Sequence, residues 1–174
     1  LDGVNDFVRV PTSPTLNFGL GGFSIDAWIN PTLTNGIRPI AEKRIPFNGS
    51  QPLGYLFYLE DGFLKLLLTD TSGTTIYTSP FTVPAGLWTY VAVTVKRPSG
   101  TGVKFYRNNV TYSSTSLTRN GLFDNGTSLI VGAHFISPAG AVGPAHYFAG
   151  RIDEFEEYNR DLVFNDVVSI YQAG

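Results

Sequence analysis

The chain has 174 residues, among them 19 glycines, 11 prolines and neither cysteine nor methionine, and its formal net charge is −2. The absence of cysteine excludes disulfides, zinc–thiolate sites and thiol nucleophiles. With only 15% charged residues and no basic excess, the chain lacks the surface that general nucleic-acid binding requires. No apolar run approaches the ~18 residues of a membrane-spanning helix, so no membrane span is predicted.

Alternating patterns predict that most of the chain forms short β-strands. The odd positions of 23–29 and of 91–95 are all apolar, and such alternation indicates a strand with one buried face. Asp61-Gly62 and Asn108-Asn109 predict tight hairpin turns, because Gly and Asn tolerate positive φ. The predicted strands are 7–10, 23–30, 38–43, 53–60, 63–69, 74–78, 87–96, 102–107, 110–113, 128–132 and 147–158.

This strand spacing predicts one all-β domain over residues 1–174, built as a sandwich or barrel. A single short helix is predicted near the C-terminus, at 165–171, where apolar residues fall at i, i+1 and i+4. Because the sequence begins at Leu1 inside strand-like sequence, we expect a module excised from a larger protein.

Six stretches in order resemble the laminin-G-like branch of the concanavalin A-like lectin/glucanase superfamily. They are 1–8 (LDGVNDFV), 14–17 (PTLN), 23–29 (FSIDAWI), 84–94 (PAGLWTYVAVT), 103–108 (VKFYRN) and 148–155 (FAGRIDEF) with 158–160 (YNR). The resemblance implies two antiparallel sheets stacked as a jelly-roll sandwich, which agrees with the strand count. It also implies that Trp28 and Trp88, both in family strand motifs, are core or sheet-packing residues.

Two loops, 44–54 and 133–147, depart from the family pattern, and loops on a rigid sandwich are where specificity is usually placed. Aromatic side chains stack on the flat faces of sugars, while polar side chains that converge on one point hydrogen-bond to sugar hydroxyls. The residues in or beside these loops that we predict to bind ligand are Lys43, Arg44, Asn48, Tyr58, His134, Phe135, His146 and Tyr147. The alternative for each of them is that it only holds its own loop in place.

The resemblance further implies a structural Ca²⁺ near the chain ends, with Asp2 and Asp153 as ligands. Such an ion would fix the termini and take no part in chemistry. The alternative is that Asp2 caps its own turn, while Asp153 hydrogen-bonds neighbouring backbone or pairs with Arg9.

A catalytic role is not predicted. The only dense acidic run is 153–157, which lacks the Glu-x-Asp-x-x-Glu strand of related laminarinase-type enzymes, and the resemblance places it on the closing strand. The two histidines have no nucleophile partner by motif.

The sequence therefore favours a non-catalytic, lectin-like carbohydrate-binding module of a secreted or surface protein. The alternative is a protein–protein adhesion or assembly module that contacts other protein subunits, such as a viral fibre or capsid-surface domain. A glycoside hydrolase is the third possibility and the least favoured. Each of the first two predicts an extracellular, cell-surface or virion-surface location.

Overall fold

A computed structural model describes residues 1–44, 52–98, 102–134 and 146–174, with backbone alone for 113–115. It contains strands β1 (Val8–Val10), β2 (Phe23–Pro31), β3 (Ile37–Arg44), β4 (Gly54–Glu60), β5 (Phe63–Asp70), β6 (Gly73–Thr82), β7 (Thr89–Lys96), β8 (Gly102–Arg107), β9 (Val110–Thr115), β10 (Leu129–Val131), β11 (Ala133–His134), β12 (His146–Tyr147) and β13 (Gly150–Tyr158). A 3₁₀ turn covers Pro14–Leu16, and helix α1 covers Phe164–Ala173.

These strands form two large antiparallel sheets and one small hairpin. The six-stranded sheet has the order β1-β10-β3-β4-β5-β6, and the five-stranded sheet has the order β13-β2-β7-β8-β9. The hairpin pairs β11 with β12, and both of its strands pack against β3. The predicted all-β, two-sheet architecture with one short C-terminal helix is confirmed.

The core lies between the two sheets and follows the alternation read from the sequence. Phe23, Ile25, Ala27 and Ile29 of β2 are all fully buried in one apolar cluster, which also holds residues of β4, β5 and β7. Burial of apolar area at about 25 cal/mol per Å² makes this cluster the main source of stability.

The outward face of the five-stranded sheet is covered by α1. Tyr90, Ala92 and Tyr106 point away from the main core and form a second apolar cluster with Leu162 and with Val167 of the helix. Helix α1 begins one residue earlier and ends two residues later than predicted. No helix in the described ranges combines the length and apolar character needed to cross a bilayer.

The two predicted hairpins are present. Glu60 pairs with Phe63 and Arg107 with Val110, and the turn residues Asp61, Gly62 and Asn108 all have positive φ. The strand predicted over 147–158 is divided, since β12 and β13 belong to different sheets. Trp88 corrects another expectation, because it precedes β7 and its surface is 42% exposed, so it is not a core residue.

Candidate functional site

Four of the residues predicted to bind ligand meet on the outer face of the six-stranded sheet. Arg44 ends β3, and Tyr58 lies on the adjacent strand β4. His134 and His146 are paired across the β11–β12 hairpin, which packs on β3. We call these four residues together with Glu42 the Arg44–His134 cluster.

Glu42 links the members of this cluster. Its Oε1 lies 2.9 Å from Nδ1 of His134 and 3.7 Å from Nη1 of Arg44. The two histidine rings are stacked, with centroids 6.0 Å apart and planes 4° apart. Because Nδ1 of His134 donates to Glu42, a neutral His134 presents Nε2 as an acceptor.

Burial shapes the electrostatics of the cluster. Burial lowers the pKa of His146, and the nearby positive charges of His134 and Arg38 lower it further. Burial also lowers the pKa of Arg44, an effect that the charge of Glu42 opposes. For Tyr58, burial above all raises the pKa to about 12. His146 therefore resists protonation, while Arg44 carries a positive charge.

One polar atom of the cluster has no partner. The Nε of Arg44 is buried and forms no hydrogen bond in the part of the chain that the structure describes. At 3.7 Å, the contact between Nη1 of Arg44 and Oε1 of Glu42 is longer than a hydrogen bond. A buried donor without an acceptor is costly, at about 1–3 kcal/mol, and such a group is often one that a ligand completes.

The fold and this geometry can now be set beside known proteins. A family profile described as the concanavalin A-like lectin/glucanases superfamily, Laminin_G_3, matches residues 2–167. The chain belongs to this family. No curated protein matches the sequence of this laminin-G-like domain.

Solved structures share the fold at low identity. The Ruminococcus gnavus IT-sialidase CBM40 bound to α2,3 sialyllactose superposes with a TM-score of 0.74 at 16% identity, over 98% of this chain and 97% of the other. The binding domain of Paraclostridial Mosquitocidal Protein 1 gives 0.72 at 20%, over 98% and 41%. The Botulinum neurotoxin serotype D ligand binding domain, in complex with N-acetylneuraminic acid, gives 0.70 at 16%, over 97% and 40%. The laminin-G-like domain thus spans about two fifths of each toxin structure.

Lys43 is a correction to the predicted ligand set. Its side chain points into the domain and is almost fully buried, and its Nζ donates to Oδ1 of Asn17 and to both oxygens of Asn125 at 2.8–3.1 Å. Consecutive strand residues face opposite sides of a sheet, so Lys43 cannot share the face of Arg44. Its role in this domain is structural.

The remaining predicted residues are placed as follows. Tyr147 is half-buried on β12, opposite Ala133. Asn48 and Phe135 lie outside the described residues. Glu42 was missed, because a carboxylate in an alternating strand gives no sign that a histidine 92 positions away will bind it.

Asp2 and Asp153 do not meet. Asp2 forms a bridge with Ala149, and its Oδ1 accepts hydrogen bonds from the amides of Val4 and Asn5. Asp153 lies four residues further along the closing strand, roughly 13 Å at ~3.3 Å per residue, and accepts from the Glu154 amide. This backbone spacing does not bring the two residues together, and each carboxylate accepts from backbone amides close to it in the chain.

No group of three or more acidic or histidine residues in the described ranges could hold a metal. The calcium hypothesis therefore stays a prediction, and thermal melting in Ca²⁺ and in EDTA tests it. A higher midpoint in Ca²⁺ that Asp2→Asn abolishes would support it, whereas equal midpoints would contradict it.

Proposed function

We propose that this laminin-G-like domain is a non-catalytic carbohydrate-binding module whose Arg44–His134 cluster binds an anionic glycan. The observation that carries the proposal is the buried Nε of Arg44 beside the β11–β12 hairpin, which has no hydrogen-bond partner among the residues that the structure describes. A guanidinium presents parallel N–H donors that match a carboxylate, and this pairing is stronger than a bond between neutral groups. A sugar acid supplies that carboxylate together with hydroxyls for the polar groups around it.

Charge and similarity support an anionic ligand. Arg38 lies close enough to act electrostatically on His146, so a second arginine adds positive charge near the Arg44–His134 cluster. Two of the structures that share this fold have acidic sugars in their descriptions, α2,3 sialyllactose in one and N-acetylneuraminic acid in the other. A secreted or surface location follows from such a ligand as part of the same proposal.

The placement of the acidic run favours a role in binding without catalysis. Two of its carboxylates are held by tyrosines, since Glu157 accepts from Tyr55 and Glu156 accepts from Tyr158. Incubation with polysaccharides and analysis of reducing ends tests this part of the proposal. Product release that Glu154→Gln or Glu156→Gln abolishes would contradict it.

Calorimetric titration with α2,3-sialyllactose and with lactose tests the glycan site, because the two ligands differ only by the acidic sugar. We expect sialyllactose to bind more tightly than lactose. Arg44→Ala should reduce its affinity about 10- to 100-fold, to the level of lactose, since a hydrogen bond to a charged group contributes about 1.5–3 kcal/mol. Arg44→Lys should give an intermediate loss, because it keeps the charge without the fork.

Arg151→Ala is the matched control, since Arg151 is an exposed arginine on the opposite sheet. It should leave sialyllactose binding unchanged, and the melting midpoint of each variant should show that it is folded. Equal affinity of the folded Arg44→Ala variant and the wild type would overturn the assignment of this site.

A further inference from the structure

A cavity lies on the other sheet, beside the end of α1. It has a volume of about 270 Å³ and is lined by Trp28, Trp88, Asp153, Glu154 and Gly174. Both tryptophans of the chain are in its wall. The Arg44–His134 cluster lies on the six-stranded sheet, so the two places are separated by the sandwich core.

The two tryptophans of the cavity differ, because Trp28 is packed against other rings and Trp88 is exposed. Trp28 is stacked on Tyr171 of α1, with centroids 5.5 Å apart and planes 24° apart, and it meets Tyr90 edge-on at 5.8 Å. Trp88 has no ring contact of this kind among the described residues, and its surface is 42% exposed. A fixed indole next to an exposed indole is a surface on which a flat apolar face can stack.

The acidic side of the cavity, formed by Asp153 and Glu154, results from an irregularity of strand β13. The pairing of β13 with β2 shifts between Asp153 and Glu156, and Glu154 has a φ of +46°. A non-glycine residue with this backbone is strained, and bulges of this kind redirect side chains next to binding sites. Here the bulge carries two exposed carboxylates to the rim of the tryptophan cavity.

The wall also holds an unsatisfied donor. Nε1 of Trp28 is buried without a hydrogen-bond partner in the described part of the chain. It lies near the Glu154 carboxylate, because a Cβ built on Gly174 would collide with both Nε1 and Oε2 of Glu154. A sugar hydroxyl can accept from an indole N–H while it donates to a carboxylate, whereas an ammonium group can only donate.

We propose that this cavity is a second carbohydrate site, which takes a neutral pyranose. The ring face of the sugar stacks on Trp88, and its hydroxyls donate to Asp153 and Glu154. Two carboxylates without a facing cation in the cavity wall repel acidic sugars. The domain would then hold sites of opposite charge preference on its two sheets.

Intrinsic fluorescence isolates this site, because the only two tryptophans line it. The probes are lactose, cellobiose, maltose and mannobiose, titrated into the whole domain, with choline as a cationic comparison. We expect at least one neutral sugar to change the tryptophan emission saturably and to protect it from acrylamide quenching. N-acetylneuraminic acid should leave the emission unchanged.

Four variants define the outcome. Trp88→Ala should abolish the response of the remaining Trp28, and Asp153→Asn with Glu154→Gln should weaken sugar binding at least 10-fold. Leu87→Ala is the matched control, because Leu87 is 61% exposed, next to Trp88, and not part of the cavity wall. Arg44→Ala should keep the neutral-sugar response, which separates this site from the one proposed above.

Absence of any emission change with all four sugars would overturn the proposal. So would a change that persists in Trp88→Ala, or a response to choline and to none of the sugars, which would indicate a cation site.

Discussion

Replacement of Gly54 by alanine is expected to lower the free energy of unfolding by more than about 4 kcal/mol and to abolish glycan binding at Arg44. Gly54 begins β4 opposite Arg44 and has a φ of +128°, which is open essentially to glycine alone. A Cβ there would collide with the carbonyl oxygen of Lys43 and lie 2.9 Å from Cα of Arg44. These obstacles are backbone atoms, so no rotamer change relieves them. Urea unfolding and titration with sialyllactose measure the two effects.

Gly36→Ala separates the collision from the conformational cost. Gly36 has a φ of +64°, and a Cβ there would meet nothing within 4 Å. Its replacement should cost only about 1–2 kcal/mol, the usual penalty of the left-handed region. If the two variants were equally stable, the proposed close packing of β3 against Gly54 would be wrong.

The β-sandwich could be predicted from the sequence because its strands and hairpins are indicated by residues close together in the chain. An apolar residue at every second position of 23–29 defines a strand and its buried face without knowledge of any partner. Asp61-Gly62 defines a hairpin for the same reason, since two adjacent residues supply the positive φ values. Elements of this kind need no information from distant parts of the chain.

The candidate sites depend on contacts between distant positions. Glu42 and His134 meet because β11 packs on β3, and no pattern in the sequence predicts that contact. The burial of Lys43 was not expected, since a lysine is seldom buried and its partners Asn17 and Asn125 are remote in the chain. The bulge between Asp153 and Glu156 interrupts the two-residue alternation from which the sequence predicts the face of each strand residue. The position of the Asp153 and Glu154 carboxylates beside Trp28 could therefore not be predicted.

The domain should be more stable at acidic pH than at neutral pH, and Asp26→Asn should remove a large part of that difference. Asp26 is fully buried under α1, and burial above all raises its pKa to about 7, while Tyr90 donates to it at 2.9 Å. The charges of Glu156 and Glu154 raise this pKa further. An unfolded aspartate titrates near 3.9, so between about pH 4 and pH 7 the folded state holds the proton that the unfolded state has lost. Stability therefore falls as the pH rises through this window, by up to about 4 kcal/mol, and is constant above it.

Urea unfolding at pH 4, 5.5, 7 and 8 measures this dependence. Asparagine keeps an acceptor for the Tyr90 hydroxyl and carries no charge, so Asp26→Asn should be more stable than the wild type at pH 8 and nearly equal to it at pH 4. Glu157, whose pKa burial also raises to about 7, contributes a slope of the same sign, so some dependence should survive until Glu157→Gln is added. The exposed Asp6→Asn is the control, and it should keep the wild-type profile. If the wild-type domain gained stability between pH 4 and pH 7, the prediction would be wrong. The pKa values of Asp26 and Glu157 would then not be raised in the folded state.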